Sequence, residues 1–255
     1  MQEVKFNYEG KNFIVVGASS GMGKQIALEL SQAGANVLCL ARRIEIMEQM
    51  KLEQGAGKIV PASVDVTAAT SKDWDAVIKN FVGEYGKING GIYTAGITGL
   101  TPLKRWNEEL AQKIMDISYW GMLRFVQSAV KKRFACEGSS FVVFSSNAAY
   151  NATKGLMVYS SAKSAVQIAV KTIVKEISQD GHRVNSISPG WVKTEMTDKY
   201  SSEFGMNEQI KNSFRLGEGG ADKVSGMALF LLSDRADWIT GADIIIDGGQ
   251  LLGGI

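Results

Sequence analysis

Apolar residues along this chain fall into short unbroken runs, separated by longer stretches in which they recur every three or four positions. Asn12–Val16 (NFIVV) is the first run, β-branched and aromatic, and it stops at Gly17. From Met22 to Ala33 the spacing turns helical, with Ile26, Ala27 and Leu30 on one side, and Gly34 ends it. Asn36–Ala41 is a second predicted strand, followed by a polar helix over Arg43–Glu53. Lys58–Val64 is a third, followed by a helix over Lys72–Tyr85 with Trp74, Val77, Ile78 and Phe81 facing inward. The rhythm continues through strand Gly91–Ala95, a long helix Asn107–Arg133, strand Phe141–Ser145, helix Val158–Ser178 and strand Arg183–Ser188. A helix over Ala221–Leu232 and a strand at Asp243–Ile246 complete the pattern.

Strands alternating with helices of this length predict right-handed crossovers and a parallel sheet covered on both faces. Continuous apolar strands, rather than alternating ones, agree with burial of both sheet faces. The expectation is therefore an α/β, Rossmann-like fold: one doubly wound parallel sheet of seven strands, forming a single domain over residues 1–255. Ligands of such sheets bind beyond the carboxyl ends of the strands. The longest stretch without clear elements, Gly190–Phe214, follows the sixth strand and is predicted to be a substrate lid rather than a linker.

Composition narrows the classes. Twenty-eight Lys and Arg against 26 Asp and Glu leave a net charge of +2, too balanced to suggest nucleic-acid or membrane attraction. The two cysteines, Cys39 and Cys136, form neither a disulfide framework nor a metal cluster. Met1–Gly10 lacks the apolar block of a signal peptide, and no apolar run approaches the roughly 18 residues of a membrane span. A soluble cytoplasmic protein is expected, with no metal.

The turn between the first strand and helix reads Gly17-Ala18-Ser19-Ser20-Gly21-Met22-Gly23. Glycines there open backbone angles closed to other residues and bring main-chain N–H groups close to a pyrophosphate, with the helix N-terminus adding partial positive charge. The second strand ends in Ala41-Arg42-Arg43. An acidic residue would hydrogen-bond the ribose hydroxyls of NAD; arginines suit the 2′-phosphate of NADP. Solvated arginines at the start of a helix are the alternative. Asp65, after the third strand, is placed to accept from the adenine amino group, or Asp65 or Thr67 caps the next helix.

Tyr159 and Lys163 stand four residues apart, on one face of a predicted helix. A free phenol titrates near pH 10. An ammonium about 5 Å away, at an effective dielectric of about 20, would favour the phenolate by roughly 3 kcal/mol, about two pKa units. That would bring Tyr159 towards a working pH for general acid–base catalysis. Ser146, at the end of the fifth strand, can hydrogen-bond a substrate oxygen beside it.

With these pieces in place, the sequence resembles the compact, single-domain branch of the short-chain dehydrogenase/reductase family. The matches are GASSGMG at Gly17–Gly23, DVT at Asp65–Thr67, TAG at Thr94–Gly96, SS at Ser145–Ser146, YSSAK at Tyr159–Lys163, RVNSISPG at Arg183–Gly190 and ITGADIIIDGG at Ile239–Gly249. The resemblance implies that Ser146, Tyr159 and Lys163 are the catalytic trio. Tyr159 and Lys163 would also touch the cofactor, with Lys163 on the nicotinamide ribose. Asp65 and Val66, and Thr94, Ala95 and Gly96 in the stretch from Ile92 to Gly96, would flank the adenosine half. Pro189, Gly190, Val192 and Thr194 would hold the carboxamide and the pyrophosphate. It implies NADP(H) more than NAD, a small carbonyl or alcohol substrate and a homotetramer. One interface would pair the helices Asn107–Arg133 and Val158–Ser178. The other would join the last helix and strand, with the Leu251-Leu252 tail.

Three positions depart from the family pattern. Ser118 replaces the usual asparagine that links the lysine to solvent through water; a serine can still bind a water, so a proton supply that is slower or rerouted is expected. Tyr93-Thr94 replaces a pair of asparagines, and Val16 replaces a threonine or serine. The lid offers Trp191, Met196, Tyr200, Phe204, Met206 and Phe214, and with Ile97–Arg105 and Asn147–Met157 it would choose the substrate. The C-terminal half resembles β-ketoacyl carrier-protein reductases, a likeness shared with steroid, sugar and polyol dehydrogenases. An NAD-dependent alcohol dehydrogenase and a non-catalytic nucleotide-binding regulator stay open as alternatives. His182, the only histidine, is expected to be structural or at the surface.

Overall fold

The computed structural model describes residues 4–151, 153–198 and 213–253. Seven strands form one parallel sheet in the order β3-β2-β1-β4-β5-β6-β7. They are β1 Asn12–Val16, β2 Asn36–Ala41, β3 Ile59–Ser63, β4 Ile88–Tyr93, β5 Ala135–Phe144, β6 Arg183–Pro189 and β7 Asp243–Ile246. The helices are α1 Gly21–Gln32, α2 Ile44–Met50, α3 Ser71–Tyr85, α4 Glu108–Met115, α5 Gly121–Ala129, α6 Met157–Ile177 and α7 Asp222–Leu232. One face of the sheet packs on α1, α2 and α7, with Ile26, Leu30, Met47 and Leu229 among the buried residues. The other packs on α3, α5 and α6 through Trp74, Phe125 and Val166. The expected doubly wound, three-layer architecture is present as one domain. Among the described residues no helix is long and apolar enough to cross a membrane.

Strand β4 runs Ile88–Tyr93 rather than Gly91–Ala95 and α2 ends at Met50 rather than Glu53, and two elements differ from the sequence pattern by more. The long helix predicted over Asn107–Arg133 is a helical path interrupted by a π-turn, Asp116–Trp120, and it ends at Ala129. Periodicity alone does not register one wider turn, because the apolar face continues through it. At the far end Lys131 and Arg133 leave the helix to pair with Asp75 on α3. Strand β5 begins at Ala135 rather than Phe141. Ala135 pairs with Ile88 and Ser140 with Gly90, so the polar residues between them bulge out, with Gly138 at φ 74°. Those polar residues hide the start of the strand from a reading of apolar runs.

The start of α3 is a capping box of Thr70 and Asp73, so neither Asp65 nor Thr67 caps that helix. His182 is buried, its ring edge-on to Phe141, before the first residue of β6 and so at the opposite end of the strand from the carboxyl ends. Burial lowers its pKa. The structural reading of His182 holds and the surface one does not.

Candidate active site

The chain winds outward from β1 through β2 to β3, then returns to β4 on the other side of β1. The loops after β1 and β4 therefore part in opposite directions and leave a crevice at the carboxyl ends of the strands. A cleft of about 300 Å³ lies there. Its walls are the turn Gly17–Gly23, the ends of β2 and β3, the segment Thr94–Ile97, Ser145 and Ser146, Tyr159, and the chain after β6.

Sterics explain the glycines of the turn. Gly17 has φ 86°, and a Cβ on it would lie 2.6 Å from Thr94 Oγ1 and 2.8 Å from the Ala95 nitrogen. A Cβ on Gly23 would collide with the Gly17 carbonyl and the Thr94 hydroxyl. Thr94 closes this contact by donating to the Val16 carbonyl at 2.8 Å, so the threonine in place of an asparagine stitches β4 to β1. The Ser20 side chain makes no cap bond to α1, and the first turn of α1 has no acidic residue. Its first N–H groups are thus left for an anion, with the helix dipole in favour.

At the end of β2, Arg42 is exposed, while Arg43 donates to Ser19 Oγ at 3.3 Å and pairs with Glu195 at 3.3 Å. Asp65 accepts from the backbone and hydroxyl of Thr67 at 2.9 and 2.7 Å, and these bonds hold its carboxyl below the usual range. Thr194 sits against Gly21, 3.1 Å from where a Cβ would be. Thr194 and Thr197 bond each other across the helical turn at residues 195–198.

Ser146 ends β5 and caps the short turn Asn147–Ala149 by accepting from the Ala148 nitrogen at 3.2 Å. Tyr159 and Lys163 lie in the first two turns of α6. Burial pushes the Tyr159 phenol up, and the Ser146 hydroxyl beside it acts in the opposite direction. Lys163 is buried, and its Nζ lies 5.8 Å from the Tyr159 ring centre. That ammonium donates to the Phe144 carbonyl at 2.8 Å, and burial pulls its pKa down to about 8. The expected lowering of Tyr159 by Lys163 is therefore not realised in the protein alone. Burial sets the direction, opposed only by the Ser146 hydroxyl, while the Lys163 ammonium directs a proton at the end of β5.

The residues expected to touch a cofactor line the cleft, except Ile92 and Tyr93, which are buried in β4, and Lys163, which stands behind Gly96, its Nζ 3.5 Å from where a Cβ there would lie. Ser118 does not line it. Its hydroxyl is buried in the π-turn without a hydrogen-bond partner. Leu40, Val64 and Ile117 line the cleft unforeseen, because the tertiary fold and not a motif brings them there, whereas Ile97 and Thr197 come from the segments expected to choose the substrate. Of the lid, Trp191, Met196 and Phe214 are described, and Met196 lines the cleft; Tyr200, Phe204 and Met206 lie outside the described residues.

A doubly wound sheet whose switch point carries an uncapped glycine turn, with a serine and a tyrosine lining the same cleft, is an arrangement that nicotinamide-dinucleotide oxidoreductases use. A family model described as enoyl-(acyl carrier protein) reductase matches residues 17–250. The chain belongs to the short-chain dehydrogenase/reductase family, and it is an oxidoreductase acting on carbonyl and alcohol groups. It is 30% identical over 247 residues to a 3-oxoacyl-[acyl-carrier-protein] reductase of Thermotoga maritima, covering 96% of this chain and 99% of that protein. A D-erythrulose reductase of Gallus gallus is 29% identical over 253 residues, covering 98% of this chain and 99% of that protein. A short-chain type dehydrogenase/reductase from Mycobacterium ulcerans has a TM-score of 0.90 at 28% identity, covering 98% of this chain and 92% of that one. The cradle of Gly17, Gly21 and Gly23 beside the uncapped α1 fits the pyrophosphate of NAD(P).

Proposed function

We propose that this protein is an NADP(H)-dependent reductase of a ketone or aldehyde, with Tyr159 as the proton donor. The observation that carries the reading is that Ser146 and Tyr159 line the same cleft as the glycine turn, with the Lys163 ammonium buried close to the Tyr159 ring. A bound reduced nicotinamide supplies the hydride. Ser146 orients the substrate oxygen and stabilises the charge that develops on it. The phenol, raised by burial, enters the reaction protonated and donates to that oxygen. Lys163, at the foot of the same helical turn, binds the ribose and returns the proton to Tyr159. Ser118 holds the water that connects this route to solvent, and its unpartnered hydroxyl supports that role.

Arg42 and Arg43, with no acidic residue in the chain at the end of β2 itself, support NADP over NAD. The segment 190–214 acts as a lid over the substrate. The names of the relatives suggest two probes: a 3-oxoacyl thioester and D-erythrulose. Tyr159→Phe is expected to lower kcat by at least about 100-fold, in the range of general acid–base contributions. Its NADPH affinity, read by fluorescence titration, should stay within about twofold of wild type. Near-normal turnover of either probe by Tyr159→Phe would sink the assignment.

A further inference from the structure

The cleft is held from behind by one side chain that no motif explains. Gln250 follows the Gly248-Gly249 pair, whose φ angles of 59° and 81° turn the chain sharply after β7. Its Oε1 accepts from Asn147 Nδ2 at 2.8 Å and from the backbone nitrogen of Trp191 at 3.1 Å. Its Nε2 donates to Ser213 Oγ at 3.2 Å. These bonds reach three separate segments: the residue after Ser146, the residue after Gly190 at the start of the lid, and the described end of the lid. None of the four residues lines the cleft.

The backbone around Gln250 is built for this contact. Asp247 accepts from the nitrogens of Gly249 and Leu251, both at 2.9 Å, and fixes the turn that presents the amide. Gly190 leaves the room: a Cβ there would lie 2.7 Å from Asp247 Cβ and 2.9 Å from Gln250 Oε1. On the far side Arg215 and Leu216 donate to the Gly248 carbonyl at 2.9 and 3.1 Å, so the lid's end is docked on the same turn. Tyr150 donates to Asp243 at 2.7 Å and ties the other end of the loop after Ser146 to the start of β7.

We propose that Gln250 is a positioning residue that clasps both ends of the lid to the loop carrying Ser146, and so fixes the wall of the cofactor cleft at Gly190–Thr194. The proposal rests on the cofactor reading of that cleft. An amide suits the role because it accepts two bonds and donates a third from one planar group. A methionine of similar length would lose all three bonds. A glutamate would keep an acceptor for Asn147 and Trp191 and lose only the donor to Ser213.

Two measurements on the full-length protein test this: hydrogen–deuterium exchange of peptides spanning Trp191, and NADPH binding by fluorescence titration. Gln250→Met is expected to speed exchange of the Trp191 amide about five- to tenfold, on the scale of one typical hydrogen bond, and to weaken NADPH by a similar factor. Gln250→Glu should restore both to within about twofold of wild type, a rescue that mere space-filling would not give. Unchanged exchange at Trp191 in Gln250→Met, or a Glu variant no better than Met, overturns the clasp. If wild type bound neither NADPH nor NADH, the cofactor reading would fall, while exchange at Trp191 would still decide the clasp.

Discussion

Lys163 is an ammonium buried to 4% exposure, held by one carbonyl, with its pKa brought down to about 8 by desolvation. Its unfolded value is near 10.5. Below pH 8 both states carry the proton, and the cost of burying the charge is fully present. Between pH 8 and 10.5 the folded protein releases a proton that the unfolded chain keeps, so stability from this group rises with pH. Lys163→Met carries no such charge and serves as the reference. The urea midpoint of wild type should therefore gain on that of Lys163→Met between pH 8 and 10, and a constant gap would refute the shift. Glu195 makes a second prediction at this scale. Its pair with Arg43 is exposed, so it adds little stability. Its carboxylate nonetheless lies against the cation proposed to hold a 2′-phosphate. Glu195→Gln should shift the ratio of NADPH to NADH affinity about two- to fivefold towards NADPH at low salt, fading as salt screens the charge. A shift towards NADH would contradict the role given to Arg43.

At the level of elements, the π-turn shows how two departures from the family pattern belong together. The Tyr93 hydroxyl donates to the Ile117 carbonyl at 2.6 Å, inside the turn that also carries Ser118. A π-turn withdraws a carbonyl from the usual helical ladder, and a buried carbonyl needs another donor. Tyr93 supplies it from β4, and Gly121 leaves space for the phenol, since a Cβ there would collide with it. Removing that donor strands a buried acceptor, which costs about 1–3 kcal/mol. Tyr93→Phe should accordingly lower Tm by about 2–10 °C in thermal denaturation, and an unchanged Tm would show the bond to be dispensable. From sequence, Tyr93 and Ser118 were 25 positions apart and read as unrelated. Their connection runs between a strand and a helix, so no local pattern carries it. The same limit hid the bulged start of β5, whereas α3 and α6 were legible because amphipathic spacing is local.

Among the exposed apolar residues of the described chain, which also include Leu52, Leu103 and Leu216, two groups lie on the elements expected to form interfaces. Ile168 on α6 is 62% exposed, with Trp120 at the end of the π-turn also open to solvent. Trp238 and Leu252, around β7, are 96% and 79% exposed. Large exposed apolar side chains on two surfaces suit two-fold contacts with further copies of the chain. We propose a homotetramer on these faces. Light scattering should give four times the 27.6 kDa chain mass, and Ile168→Asp should reduce it to a dimer. A monomeric wild type would remove the proposal.

The sequence by itself determined the strand order, the doubly wound class and the glycine cradle, and singled out Ser146, Tyr159 and Lys163, because each rests on local spacing or on a short motif. Tertiary structure alone decided that burial raises the Tyr159 phenol, that Glu195 reaches Arg43, and that Gln250 gathers three distant segments. Burial and cross-element hydrogen bonds depend on which surfaces meet in space. That information is distributed over the whole chain and is absent from any single stretch of it.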